Sequence, residues 1–91
     1  MRNELSSKAH LLVQQGAVLL DVRTPQEYSQ RHPPEARNIP VQELEQRVAE
    51  LDPSRGVVVY CLSGMRSAKA SEILKKYGFK EVFNLGSVDA W

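Results

Sequence analysis

A single cysteine, Cys61, leaves this chain no partner for an internal disulfide. Its two histidines, His10 and His32, stand far apart and complete no metal-ligand pattern with that cysteine, so neither a metal centre nor a cofactor is implied. Neither sign of charge is in excess. Twelve basic residues against 11 acidic ones give a net charge of +1, which removes the electrostatic case for nucleic acid or an anionic membrane as partner. No apolar run reaches the roughly 20 residues that a membrane span needs. Met1-Arg2-Asn3-Glu4 leads into a polar helix rather than a hydrophobic signal core, so the expected location is the cytoplasm. A mature periplasmic form reads the same way. There is no repeat or low-complexity tract, and 91 residues make one small domain with a modest core.

What the chain does have is one stretch in which a β-favouring run, Val57-Val58-Val59-Tyr60, ends abruptly at Cys61. Four such residues in succession read as a strand buried on both faces, the pattern of a central strand in a parallel sheet. A helix follows, with Ala70, Ile73, Leu74 and Tyr77 at helical spacing, Lys75 and Lys76 in its last turn and Gly78 as the left-handed cap. Its expected span is Ser67 to Tyr77. Ser63 and Gly64 allow the intervening backbone to curl, so that several N–H groups point at one spot and form an anion-binding nest. A thiol facing that nest, a helix N-terminus and the Arg66 guanidinium ionises more readily than a free one, and the thiolate is a nucleophile. The competing reading is a buried structural cysteine followed by a surface arginine. Agreement between strand end, tight loop, arginine and helix start favours a reactive site.

The rest of the chain alternates strands with helices. Leu5, Ala9, Leu12 and Val13 fall on one helical face that ends at Gly16, and Ala17 to Leu20 reads as a strand. Thr24-Pro25-Gln26-Glu27 starts a short helix, with Thr as N-cap, Pro in the first turn and Glu closing a capping box. Arg31-His32-Pro33-Pro34-Glu35 breaks it. A brief strand is expected around Asn38 and Ile39. Val41, Leu44, Val48 and Leu51 predict one amphipathic helix, closed by the turn at 52–56. Val82 to Leu85 reads as the last strand, and Ser87 caps a final helical turn. This order predicts an α/β fold with a parallel sheet and right-handed crossovers.

Cys61-Leu62-Ser63-Gly64-Met65-Arg66-Ser67-Ala68 resembles the active-site loop of the rhodanese family of sulfurtransferases. Leu20-Asp21-Val22-Arg23-Thr24-Pro25-Gln26-Glu27-Tyr28 is similar to the family's N-terminal signature, Ala36-Arg37-Asn38-Ile39-Pro40 to its middle one, and Asn84 to Trp91 to its C-terminal one. The four matches run in order from Val18 to Trp91. The resemblance implies a small single rhodanese-like domain over residues 1–91, with a central parallel β-sheet flanked by helices on both faces. It also implies a monomer or weak dimer, without a cofactor, that takes sulfur from thiosulfate or another sulfane donor. Cys61 carries that sulfur as a persulfide and passes it to cyanide or to a small or protein thiol. Arg66 and the loop N–H groups bind the anionic donor, Leu62 and Met65 shape the mouth as loop side chains, and Ser63, Gly64 and Ser67 complete the cradle.

An acid and a base at a strand end invite a catalytic story for Asp21 and Arg23. The preferred reading is structural, with Asp21, Arg23 and Glu27 pairing to hold the second loop, and with His32 anchoring its own loop rather than moving protons. Arg31-His32-Pro33-Pro34-Glu35 stands where the family has Gly-His-Ile-Pro-Gly, so Glu35 is expected to be costly if its backbone needs positive φ. Family members also commonly run past the final tryptophan, so Trp91 is expected to expose apolar surface or to mark a trimmed chain. Two other readings stay open: a binding or redox-sensing module without turnover, and a phosphatase or arsenate reductase relative. The six residues from Cys61 to Arg66 resemble the sulfurtransferase loop, which is one residue shorter than that of those relatives.

Overall fold

The computed structural model describes residues 3–91, so Met1 and Arg2, read from sequence as the entry to the first helix, lie outside the described residues. Asn3 caps helix α1 (Glu4–Gln14) by accepting the Ser6 N–H at 2.8 Å. Strand β1 (Val18–Asp21) leads to α2 (Pro25–Gln30), where the predicted capping box of Thr24 and Glu27 is formed in full. Then come β2 (Ala36–Asn38), a broken helical segment over 41–50, β3 (Val57–Cys61), α4 (Met65–Lys76), β4 (Val82–Ser87) and a 3₁₀ turn at Val88–Ala90. The four strands form one all-parallel sheet in the order β2-β1-β3-β4.

The central strand β3 is buried along its whole length. Because side chains alternate across a strand, Val57, Val59 and Cys61 join the core beneath α4, while Val58 and Tyr60 face the core beneath α1. Cys61 therefore shares a face with Ala70 and Leu74 of α4. Among the described residues, no helix is long and apolar enough to cross a membrane.

The structure corrects three local expectations and answers a conditional one. The single amphipathic helix over 41–51 is instead a 3₁₀ turn (Val41–Glu43), a short α3 (Leu44–Arg47) and a second 3₁₀ turn (Val48–Glu50). Val41 to Leu44 and Val48 to Leu51 are both i,i+3 steps, which a 3₁₀ turn aligns as well as an α-turn does, so the same side chains still reach the core. Helix α4 begins at Met65, two residues before the expected Ser67. Strand β4 continues beyond Leu85, because a register shift lets Gly86 (φ +88) pair with Tyr60 and Ser87 with Cys61. Glu35, finally, does not adopt positive φ; among the described residues only glycines do. The Ala36 N–H donates to the Pro33 carbonyl at 3.0 Å, closing a turn with Pro34 second and Glu35 third, and such turns exist without positive φ.

Candidate functional site

Strand β3 delivers Cys61 to the carboxyl edge of the sheet, and four residues later the chain is helical again. That tight reversal depends on Gly64, the N-cap of α4, whose φ of +105° disfavours any side chain even though nothing lies near its missing Cβ. The loop folds back over the sulfur. Cys61 Sγ accepts the Gly64 N–H at 3.0 Å and the Ser67 N–H at 3.4 Å. The Ser67 hydroxyl donates to the Gly64 carbonyl at 3.0 Å and lies 3.4 Å from the Gly86 carbonyl, which ties the start of α4 to the bulge in β4.

Burial pushes the Cys61 thiol up, but the neighbouring Ser67 hydroxyl and the N–H groups of Ser67, Gly64 and Arg66 outweigh it, and the net shift is downward. A hydroxyl rotates freely enough to turn its proton from a carbonyl to a thiolate. Cys61 nevertheless has 0% exposed surface, while Leu62 and Met65 beside it are 50% and 81% exposed. Met65 is the first residue of α4 and not the loop residue expected from sequence.

These features predict two separable results in alkylation by iodoacetamide. The inflection of rate with pH falls below the free-thiol value of about 8.5. The plateau rate, in contrast, stays below that of a free thiol, because Cys61 is buried. An inflection at or above the free-thiol value rules out a stabilised thiolate.

Arg66, second residue of α4, is not left open to solvent. Its Nη1 and Nη2 donate to Glu27 Oε1 and Oε2 at 2.7 and 3.0 Å, a bidentate fork between the first turns of α4 and α2. Glu27 Oε1 also accepts the Thr24 N–H at 2.9 Å and its hydroxyl at 3.1 Å. The Arg66 fork first, and the Thr24 N–H second, lower the Glu27 carboxyl to about 2. A depressed carboxyl contributes stability above its unfolded pKa, and loses it only as pH falls through the folded value, so this pair persists at any neutral or mildly acidic pH.

Glu27 therefore does not join Asp21 and Arg23, contrary to the grouping expected from sequence. Those two form their own buried unit, 0% and 3% exposed. Arg23 Nη2 donates to Asp21 Oδ2 at 2.7 Å, Nε donates to both carboxylate oxygens at 3.1 and 3.0 Å, and the Arg23 N–H donates to Oδ1 at 2.9 Å. The Tyr60 hydroxyl adds a 2.7 Å bond to Oδ2, and Asn38 Nδ2 bridges the Asp21 and Arg23 carbonyls at 3.0 Å each. Sequence reasoning missed Tyr60 and Asn38. A tyrosine in an apolar strand gives no sign that its hydroxyl meets a carboxylate on the neighbouring strand, although its place one residue before Cys61 assigns it to the opposite face.

His32 bonds within its own segment. Its Nδ1 donates to the Tyr28 carbonyl at 2.7 Å and its ring stacks on Tyr28 with centroids 3.7 Å apart, which fixes its loop. Trp91 is half-buried and stacks on His10 at 3.6 Å, so much of the apolar surface it was expected to expose is covered. Among the described residues, no group of three His, Cys, Asp or Glu side chains stands close enough to hold a metal ion.

Comparison with known proteins adds the context for this geometry. A family model described as a rhodanese-like domain matches residues 5–91. A sulfurtransferase of Allochromatium vinosum is 37% identical over 95 residues, covering all of this chain and 89% of that protein. Thiosulfate sulfurtransferase PspE of Escherichia coli is 41% identical over 71 residues, covering 76% and 68% respectively. An uncharacterised Bacillus subtilis protein, YqhL, is 41% identical over 76 residues, and there the match spans 82% of this chain but only 60% of the relative. Among solved structures, one described as a rhodanese with anions from E. coli superposes with a TM-score of 0.78 at 37% identity, covering 84% of this chain and 92% of that one.

Proposed function

Because the chain belongs to the rhodanese-like domain family, we propose that residues 1–91 act as a single-domain sulfurtransferase working through a persulfide on Cys61. The observation that carries this reading is the cradle around Sγ. Two backbone N–H groups converge on one sulfur at the start of a helix, in an electrostatic setting that favours its anion.

In the first half-reaction the Cys61 thiolate attacks the outer sulfur of thiosulfate. A bond forms between the two sulfurs, the bond to the sulfonate sulfur breaks, and sulfite departs with the electron pair. Cys61 then bears a persulfide anion, held by the same N–H groups. In the second, cyanide or a thiolate attacks the outer sulfur, and Cys61 leaves as the thiolate from which it started. Neither step needs a general base, and the two halves share a covalent intermediate, so ping-pong kinetics follow. Since Cys61 has no exposed surface at rest, the first half-reaction begins with a shift of the side chains around the loop. Leu62 and Met65, the exposed apolar pair there, are the natural moving parts.

The same cradle is poorly suited to phosphoester cleavage. A phosphoryl group brings three oxygens that each want a donor, and its leaving oxygen wants an acid, yet the segment from Leu62 to Ser67 holds neither Asp nor Glu. The deciding experiment is intact mass spectrometry of the native chain together with an aryl phosphate assay. Thiosulfate is expected to add the mass of one sulfur atom, cyanide to remove it with release of thiocyanate, and the aryl phosphate to remain uncleaved. Efficient aryl phosphate hydrolysis without sulfur uptake overturns the assignment.

A further inference from the structure

The arginine expected to bind the anionic donor already has an anion on it. Glu27 uses both carboxylate oxygens against Arg66 Nη1 and Nη2, the edge of the guanidinium that presents two parallel N–H groups. A sulfonate group on a sulfur donor seeks that same two-point geometry. Glu27 is also held from behind, because the Thr24 N–H and hydroxyl fix Oε1 within the capping box of α2. It is a carboxylate built into place, not a mobile surface group that met an arginine by chance.

The neighbouring cations are paired as well. Arg23 is committed to buried Asp21, and Arg31 meets Asp89 in an exposed pair. Three arginines near this edge of the sheet are thus each matched by a carboxylate.

Resting on the sulfurtransferase reading above, we propose that Glu27 is a specificity-determining residue that competes with the donor's anionic end for Arg66 and so discriminates against highly charged sulfane donors. A dianion such as thiosulfate meets a nearly neutral mouth and must displace or share the Glu27 fork. A singly charged donor, such as an organic thiosulfonate or a persulfide, loses less. Since Coulomb energy scales with charge, removing the Glu27 charge helps the dianion about twice as much on a logarithmic scale as it helps the monoanion.

The test uses Glu27→Gln, which keeps an acceptor oxygen for the Thr24 N–H and so leaves α2 capped, as thermal unfolding will show. Thiosulfate and benzenethiosulfonate binding are measured by calorimetry in a Cys61→Ser background, where no sulfur transfer follows binding. Glu27→Gln is expected to tighten thiosulfate about tenfold and the thiosulfonate about threefold. Both gains should shrink when Arg66→Ala is added, because only the direct repulsion between Glu27 and the donor then remains. Glu27→Asp, which keeps the charge on a shorter arm, gives a smaller gain, and supplies the comparison if the glutamine variant folds poorly. Unchanged or weaker thiosulfate binding in both variants overturns the proposal and assigns Glu27 a purely supporting role; so does a gain of the same size after the loss of Arg66. Since this readout is binding alone, it stands apart from sulfur uptake by the native chain, whose failure would count against the sulfurtransferase reading itself.

Discussion

Cys61→Ser abolishes both halves of the reaction: thiosulfate no longer adds sulfur to the protein, and cyanide no longer yields thiocyanate above the uncatalysed background. The substitution is close to isosteric, so the loop and its N–H cradle persist and the fold is retained. What disappears is the chemistry. A serine hydroxyl has no accessible anion at neutral pH, and the N–H groups of Gly64 and Ser67, which favour a thiolate, fall far short of making an alkoxide. Cys61 is also the sole cysteine, so no second thiol takes over. Intact mass spectrometry before and after thiosulfate, with far-ultraviolet circular dichroism as the fold control, checks both points. Continued thiocyanate production by a folded serine variant sinks the persulfide mechanism.

The second large effect is on stability. Asp21→Ala leaves the Arg23 guanidinium, 3% exposed, without its counter-ion, and takes the acceptor from the Tyr60 hydroxyl in a fully buried site. Breaking a buried pair from one side costs about 3–5 kcal/mol, since the orphaned charge keeps its desolvation penalty. A domain of this size has a total of roughly 5–15 kcal/mol, so the variant is expected to be marginal at best. Urea unfolding will show the midpoint falling by a large fraction. Asp21→Asn keeps the hydrogen-bonding shape, costs less, and should transfer sulfur at a near-normal rate per folded molecule. The reason lies in the pleat. Tyr60 and Asp21 meet on the α1 side of the sheet, whereas Cys61 projects to the α4 side. A loss of rate in the asparagine variant beyond its loss of folded protein would show that the network reaches the sulfur.

Local signals in the chain were dependable where the physics is local. The capping box at Thr24 and Glu27, the break at Pro33 and Pro34, the five buried residues ending at Cys61 and the cap at Gly78 each depend on residues a few positions apart. The segment 41–50 reads as one helix because hydrophobic spacing of three and four residues does not distinguish an α-helix from 3₁₀ turns flanking one. The extension of β4 to Ser87 was missed because a bulge at Gly86 is a property of two strands in register, not of either alone.

The candidate site divides along the same line. By itself the sequence determined that a lone cysteine ends a buried strand, and that Gly64, a helix start and an arginine follow at once. Each of these follows from φ preferences, burial patterns and neighbours in the chain. Only the tertiary structure decided that Arg66 faces Glu27, 39 residues away, and that Asp21 and Arg23 close on Tyr60 instead. A carboxylate pairs with whichever cation packing brings within about 3 Å, and that choice is made by sheet order and helix placement, which no spacing along the chain encodes.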